Sequence, residues 1–458
     1  MAISLGDRLR QVVSGTRPAM RDLRIERDEP APPRGPALDG CRVADVLAGQ
    51  WIEGSEGAVV VVDRYYAADR MHGRTPIGDI IESLESGRAE LEVLSRAFPG
   101  RRALVENEPL TPETSLCFLD LETTGLAGGA GTQAFLVGCA VVEDGGLRVR
   151  QFLLPGFEHE RALLGMVAAW TAQQDTLVTF NGKSFDVPLI ETRYVLHRLP
   201  SRLAEFPHFD MLHPARRLWK QRPTIVGPPL DDDSCRLSVL ERHLAGYHRV
   251  GDVPGFEMPS RYFRFIRSGD AHPLEAVLEH NRIDLVSLAL VTARTLALIR
   301  RGPSAAMQPR ECLGLGRLYE RSGAFAEAEA CFERAASWAG QIGREPDVHA
   351  DALRRLALAR RRAGRLFEAA VAWQALVHVP GCPSVLRREA REALAIHHEH
   401  RSRDLQTARS MVVDALADTV VPKWRERAEY RLQRLDRKLA RPTHPRLPID
   451  EAERIARS

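Results

Sequence analysis

Residues 118–126 read Phe118-Leu-Asp120-Leu-Glu122-Thr123-Thr124-Gly125-Leu126, an apolar run that holds two acids and is followed by two threonines and a glycine. Side chains two apart on a strand share a face, so Asp120 and Glu122 present two carboxylates side by side. The apolar residues around them predict a buried strand, where unpaired acids are costly. Two like charges about 4 Å apart repel by roughly 4 kcal/mol at an effective dielectric near 20. A cation or a retained proton must offset this repulsion, unless the strand is an exposed edge with solvated acids.

The surrounding pattern is mixed α/β. Three apolar strands, at 116–121, 134–142 and 148–154, precede a helix at 159–173, a strand at 176–180 and a helix at 185–196. A short Glu143-Asp-Gly-Gly146 turn joins the second and third strands as a hairpin. The order predicts a mixed sheet flanked by helices.

Two further stretches carry acids in suggestive places. Thr179-Phe180-Asn181-Gly182-Lys183-Ser184-Phe185-Asp186 ends a strand and puts Asp186 at the start of a helix, where helix capping alone could explain it. His280 and Asp284 are four residues apart and share one face of a later helix, a spacing that is also common in surface pairs.

Together the three motifs resemble the DEDD exonuclease superfamily, whose sheet is ribonuclease H-like. More narrowly they are similar to the bacterial YprB-like ribonuclease H-like domain proteins. The resemblance covers about residues 115–298 and includes Phe209-Asp210-Met211 and Gly251-Asp252-Val253. It implies a 3′→5′ exonuclease acting on single-stranded nucleic acid, with four carboxylates that bind two divalent cations. By motif, those are Asp120, Glu122, Asp186 and Asp284.

The histidine departs from the resemblance. Its spacing to Asp284 is that of the tyrosine subclass, although His280 stands where that subclass has tyrosine. Whether His280 deprotonates the attacking water or only positions it therefore stays open. An ordinary histidine pKa near 6.5 would suit the first role at neutral pH.

Oxygen ligands suit Mg²⁺ or Mn²⁺ rather than zinc. We expect two such ions, one activating water and the other stabilising the leaving oxygen. As in similar exonucleases, the terminal nucleotide would meet residues just past the first strand and the asparagine of the second motif: Thr123, Thr124, Gly125, Leu126 and Asn181. Lys183 and Arg193 could contact phosphate or be plain surface charge, and Asp210 is interpreted as structural or as a second-shell metal residue.

The rest of the chain is organised around this domain. We expect a flexible Arg- and Pro-rich arm at 1–40, a small accessory segment at 41–110, the exonuclease domain at 111–300 and a frayed tail at 441–458. The accessory segment carries a strand at 58–62 and a helix at 77–98, and His72-Gly73 is interpreted as a turn.

Residues 305–440 show a repeat. Leu315-Gly316, Tyr319, Ala328 and Phe332 return about forty residues later as Leu356-Ala357, Arg360, Ala369 and Trp373. This pattern predicts paired, tetratricopeptide-like helices that could recruit a protein partner. The alternative to an enzyme is thus an inert nucleic-acid-binding or scaffold protein that acts through these repeats.

Composition sets the remaining expectations. The 458 residues carry a net charge of +3, and the excess of Arg and Lys in the last third could be a solvated surface or attract phosphates. Seven cysteines without a C-x-x-C pair predict reduced thiols. With no apolar run of membrane-spanning length, we expect a cytoplasmic protein that does not bind a membrane.

Overall fold

The computed structural model describes residues 39–99, 114–125, 131–220, 235–417 and 421–440. Most of the predicted N-terminal arm, Leu126 and the predicted C-terminal tail lie outside this described part of the chain. All seven cysteines lie inside it and are free.

In the described residues the strands are, in chain order, β1 (Gln50–Gly54), β2 (Gly57–Tyr66), β3 (Met71–His72), β4 (Thr75–Pro76), β5 (Leu116–Thr123), β6 (Ala134–Glu143), β7 (Gly146–Leu153), β8 (Thr176–Thr179) and β9 (His208–Asp210). Seven of these described strands form one sheet in the order β1-β2-β7-β6-β5-β8-β9. Neighbouring strands are antiparallel except for the pairs β5–β8 and β8–β9, which are parallel. Strands β3 and β4 form a separate small hairpin.

Helices cover the sheet and form the whole C-terminal part of the described chain. The helices are α1 (Gly40–Val46), α2 (Ile77–Ser86), α3 (Leu91–Ala97), α4 (Glu160–Thr171), α5 (Asp186–Leu196), α6 (Leu212–Leu218), α7 (Leu237–Ala245), α8 (Met258–Ser268), α9 (His272–Arg301), α10 (Pro309–Ser322), α11 (Phe325–Ile342), α12 (Pro346–Arg362), α13 (Leu366–Val377), α14 (Ser384–His397), α15 (Leu405–Ala417) and α16 (Pro422–Leu439). In the described residues, no helix is both long and apolar enough to cross a membrane.

Helix α9 is the longest element and lies against β5, β6 and β7. Its residues Leu285, Leu288 and Ala289 are buried with Phe118 of β5 in one core. A second core on the other face of the sheet includes Leu119 of β5. Because β5 is covered on both faces, the only polar positions along it lie near its carboxyl end, at Asp120 and beyond.

The accessory segment is part of the sheet rather than a body beside it. Residues 60–66 of β2 pair with β7, so the N-terminal hairpin adds two strands to the sheet that holds the acids. The predicted single helix over 77–98 is wrong. It is broken after Ser86 into α2, a short 3-10 turn and α3. A Cβ at Gly87 would come within 2.7 Å of Leu296 on α9, so the position where the helix breaks has no room for a side chain.

Each C-terminal helix packs against the next from α10 to α16. Ion pairs join residues that are 35 positions apart in the chain, such as Arg310 with Glu345 at 3.2 Å and Arg354 with Glu389 at 2.7 Å. The fold class is confirmed: a mixed sheet flanked by helices, followed by an all-helical region. The tetratricopeptide-like character of these helices stays a prediction.

Candidate active site

The predicted acids come from three places in the fold. Asp120 and Glu122 stand on β5, and the register of β5 against β6 shifts just after Glu122. Asp186 is the first residue of α5, directly after the turn that follows β8. Asp284 lies on α9, which lies against β5. Because β5 and β8 are parallel neighbours, their carboxyl ends bring Asp120, Glu122 and Asp186 to the same edge of the sheet.

The electrostatics show that the four acids face one another. Burial raises the pKa of Asp120 well above its usual range, and the charges of Asp284, Glu122 and Asp186 raise it further. The pKa of Glu122 is raised to about 8 by burial, with Asp284 and Asp186 adding to the effect. All four acids keep part of their surface exposed to solvent, and we call the exposed region around them the acid cleft.

The pKa of Asp186 is raised as well. Burial raises its pKa to about 7, and the charge of Asp210 contributes. Three of the four acids therefore have pKa values above their ordinary range in the absence of a cation.

The fourth acid has cationic partners. Asp284 accepts hydrogen bonds from His280, with Nε2 to Oδ2 at 3.3 Å, and from the guanidinium of Arg249. Burial raises the pKa of Asp284, but the hydrogen bond from His280 and the charge of Arg249 outweigh it and hold that pKa below its usual range. Arg249 is itself bound by Glu241, with Nε to Oε1 at 2.6 Å.

His280 is held by carboxylates at both ring nitrogens. Its Nδ1 lies 2.5 Å from Oδ1 of Asp252, and its Nε2 faces Asp284. Burial lowers the pKa of His280, but hydrogen bonds with Asp284 and Asp252 outweigh it and raise the pKa to about 9. The sequence leaves the direction of any shift from the ordinary pKa near 6.5 open, and the two carboxylates beside the ring raise this pKa and favour the protonated imidazole.

The turn before Asp186 is fixed by Asp210. Its carboxylate accepts hydrogen bonds from the backbone N–H groups of Asn181 at 2.7 Å, Lys183 at 3.2 Å and Leu212 at 3.1 Å. Asn181 has a φ of 71°, and a Cβ on Gly182 would lie 2.6 Å from Thr179. The structural interpretation of Asp210 is thus supported, because this carboxylate shapes the loop that presents Asp186.

The predicted substrate residues Thr123 and Thr124 directly follow Glu122 at the end of β5. Thr123 Oγ1 donates to the carbonyl of Gly125 at 2.8 Å, while Thr124 Oγ1 accepts from Gln133 N at 3.0 Å. These hydroxyls therefore hold their own turn. Leu126 lies outside the described residues, so its predicted contact stays a prediction.

One phosphate-binding alternative is wrong. Arg193 is buried on α5, where Nε and Nη2 donate to Glu160 at 2.6 and 2.5 Å. His197 and Gln133 contact the same carboxylate at 2.8 Å each. Arg193 therefore belongs to a structural ion pair rather than to a phosphate site.

Sequence reasoning missed several polar neighbours of the acids. They are Arg249, Glu241, Asn281 and Gln151, and Asp252 was named without a role. Arg249 lies 35 residues from Asp284, and Asn281 lies 161 residues from Asp120, so no local spacing connects them to the acids. Two weak signals existed: a glycine at 138 inside an apolar strand, which marks a close approach, and an asparagine at 281 within an apolar helix.

The donor set suits a hard divalent cation. Clustered carboxylates with raised pKa values would be relieved by one, and oxygen ligands are those that Mg²⁺ and Mn²⁺ prefer. Across the described ranges, however, no three His, Cys, Asp or Glu side chains already enclose a common ion position. The ion pair of Arg249 with Asp284 gives a physical reason, since it turns that carboxylate toward a guanidinium.

Comparison with known proteins gives the class of this domain. A family model described as the RNase_H superfamily matches residues 117–296, the span that contains the four acids and His280. The chain therefore carries a ribonuclease H-like domain, and this match supports nuclease chemistry in general.

A relative that matches most of the chain identifies the family more closely. The uncharacterized protein YprB of Bacillus subtilis (strain 168) is 33% identical over 336 residues, which cover 71% of this chain and 75% of YprB. The chain belongs to the family of YprB, as its motifs predict.

Among solved structures, the family B DNA polymerase of Pyrobaculum calidifontis is similar at a TM-score of 0.33 and 13% identity. The alignment covers 57% of this chain and 30% of the polymerase chain. A likeness this low carries no argument about function.

Proposed function

We propose that the protein is a DEDD-type, metal-dependent 3′→5′ exonuclease that hydrolyses phosphodiester bonds of single-stranded nucleic acid. The observation that carries the proposal is the convergence of Asp120, Glu122, Asp186 and Asp284 on one cleft of a ribonuclease H-like domain. Acids that raise one another's pKa values at a partly exposed position are costly for stability, which favours a role in binding cations.

These four residues would hold two Mg²⁺ or Mn²⁺ ions. Such ions, when bound, supply Lewis-acid activation of water and stabilisation of the leaving oxygen. The role of the protein's own residues is to hold the carboxylates in place. Asp186 is presented by the turn that Asp210 fixes, and Asp120 and Glu122 are presented by the central strand.

His280 would position the attacking water rather than take its proton. Asp252 and Asp284 orient the imidazole through both nitrogens, and the pKa raised to about 9 keeps it protonated at neutral pH. A protonated ring has no acceptor for the proton of water, and a water oxygen would share the Nε2–H donor, which lies 3.3 Å from Oδ2 of Asp284.

The cleft also has surfaces suited to a single-stranded end. Thr123, Thr124, Gly125 and Asn181 would face the terminal nucleotide, with Leu126 beside it. Phe185, next to Asp186, has an exposed fraction of 59%, and an exposed aromatic ring can stack on an unpaired base.

The test uses 5′-end-labelled single-stranded DNA and RNA with Mn²⁺ or Mg²⁺. We expect a ladder of products shortened stepwise from the 3′ end, and loss of cleavage in Asp120→Asn without loss of folding. Glu143→Gln removes an acid at the opposite end of the sheet and should cleave like the wild type. Cleavage by Asp120→Asn at the wild-type rate would refute the proposal.

One observation favours the alternative of an inert binding or scaffold protein. Arg249 already neutralises Asp284, which is what a site without metal ions would need. A metal titration separates the two. A nuclease should gain thermal stability with Mn²⁺ in the wild type and not in Asp120→Asn, whereas an inert domain should show no such gain in either.

A further inference from the structure

Behind the acid cleft lies a chain of buried amide groups. Asn281 on α9 and Gln151 on β7 have exposed fractions of 0% and 1%. Asn281 Nδ2 lies 2.9 Å from Oδ2 of Asp120 and 3.2 Å from the backbone oxygen of the same residue. Gln151 Nε2 lies 2.8 Å from Asn281 Oδ1 and 2.8 Å from the backbone oxygen of Leu278.

The hydrogen-bond pattern fixes which way both amides point. The carbonyl of Leu278 can only accept, so the group of Gln151 that faces it must be the NH₂. The same NH₂ then requires an oxygen on Asn281, which leaves the Asn281 NH₂ facing Asp120. Asn281 therefore donates to the Asp120 carboxylate, and the reverse orientation would leave acceptors facing acceptors.

The sheet leaves room for this contact at one position. Asp120, Gly138 and Gln151 are in register on β5, β6 and β7, so Gly138 lies between the two residues that the amide chain joins. A Cβ on Gly138 would lie 2.1 Å from Asn281 Oδ1. Any other residue at this position would push Asn281 away from Asp120.

We propose that Asn281 is a positioning residue for Asp120, and that Gln151 holds the Asn281 amide in the orientation that donates to this carboxylate. The inference rests on the proposed function, since it assigns Asn281 to the ion-binding geometry of that site. Asp120 is surrounded by the other three acids, and an uncharged donor restrains it without competing with a cation for its charge. The same NH₂ also contacts the Asp120 backbone, so side chain and strand are held as one unit.

The principal test is Asn281→Leu, which keeps the approximate size of the side chain and removes the donor. Loss of a residue that orients a metal ligand typically costs about 10–100-fold in metal affinity or activity. We expect a loss of that size in Mn²⁺ affinity, measured by calorimetry, and in kcat, with little change in KM for the nucleic acid.

The matched control is Thr292→Val. Thr292 is also buried on α9, but its hydroxyl donates to the carbonyl of Leu288 at 2.8 Å within the same helix. This variant should keep wild-type Mn²⁺ affinity and turnover. Equal losses in the two variants would mean that any buried polar change in α9 has this effect, and would overturn the inference.

A second variant covers the case in which Asn281→Leu does not fold. Gln151→Leu leaves Asn281 in place but frees its amide to turn, so Mn²⁺ affinity and kcat should again fall. Wild-type Mn²⁺ affinity and kcat in whichever folded variant is measured would refute the positioning role. If the wild type itself neither binds Mn²⁺ nor cleaves, the proposed function fails instead.

Discussion

Glu122 carries a charge that the folded protein tolerates poorly without a cation. Burial and the neighbouring acids raise its pKa to about 8. An acid whose pKa is raised on folding is destabilising once it ionises, so this cost grows as pH rises from the unfolded value near 4.5 through about 8.

We therefore expect Glu122→Gln to be more stable than the wild type at pH 8 in the absence of metal, by about 0.5–2 kcal/mol. The same variant should lose the stabilisation by Mn²⁺. Thermal unfolding with and without Mn²⁺ measures both effects, and Glu143→Gln at the far end of the sheet is the control. A metal-free Glu122→Gln protein less stable than the wild type would contradict this account.

At the residue scale, the sequence predicts the acids better than their supports. Asp120 and Glu122 alternate along a strand and Asp186 starts a helix, so local rules mark all three as candidates. Asn281 and Arg249 could not be predicted, because their partners Asp120 and Asp284 lie at other places in the fold and only tertiary packing brings them together. The direction of the pKa shift of His280 could not be predicted either, because Asp252 comes from a different segment.

Among the elements, the β3–β4 hairpin has a connection to the site that its sequence does not reveal. His72, interpreted as part of a turn, is buried at the end of β3, where Nε2 lies 3.1 Å from Ser287 Oγ. Ser287 donates to Glu241, which binds Arg249. The imidazole also stacks on Tyr247 at 4.3 Å between ring centroids.

This hairpin should make the protein sensitive to acid. Burial lowers the pKa of His72 to about 4, and the charges of Arg249 and Arg70 add to the effect. A histidine that is harder to protonate when folded contributes stability above its unfolded pKa near 6.5, and that contribution is lost as pH falls toward 4.

We expect the wild type to lose on the order of 2–3 kcal/mol through this group between pH 7 and pH 4, and His72→Gln to lose correspondingly less. Denaturant unfolding across this pH range measures it. The control is His378→Gln, at an exposed histidine between α13 and α14. Its stability should change with pH as that of the wild type does. Identical acid sensitivity in His72→Gln and the wild type would exclude this source of pH dependence.

The strands and helices themselves were largely predictable. Apolar runs bounded by glycine and acidic turns predict β5, β6 and β7 within a few residues. The exception is the helix predicted over 77–98, which is broken at Gly87, where Leu296 of α9 lies too close for a side chain. The apolar periodicity of the sequence continues through this point, so only the packed structure reveals the break.

At the scale of the whole molecule, the helical region and the ribonuclease H-like domain share one core. Trp219 of α6 donates to Glu311 of α10 at 2.8 Å, and Tyr319 of α10 donates to the carbonyl of Ile299 on α9. A Cβ on Gly314 would lie 2.3 Å from the backbone oxygen of Arg217, so α10 contacts the α6 segment directly.

Truncation should reveal this shared core. A chain ending at residue 307 loses α10 and should be destabilised by about 5 kcal/mol or more, since each large apolar side chain exposed costs about 1.5–3 kcal/mol. A chain ending at residue 382 keeps α10–α13 and should remain folded. Thermal unfolding and size-exclusion chromatography distinguish them, and equal stability of both truncations would contradict the shared core. The chain ending at residue 382 also allows a second test. If the basic helices α14–α16 add to nucleic-acid binding, their loss should reduce the salt dependence of that binding.

The two outer strands of the sheet are short, five residues in β1 and three in β9, whereas β2, β6 and β7 have eight to ten. Unpaired backbone groups on a long outer strand invite the strand of another molecule, which leads to aggregation. The N-terminal hairpin pairs with β7, so the backbone groups of β7 on that side are not left unpaired at the edge of the sheet. Removing the hairpin should therefore affect solubility before it affects chemistry.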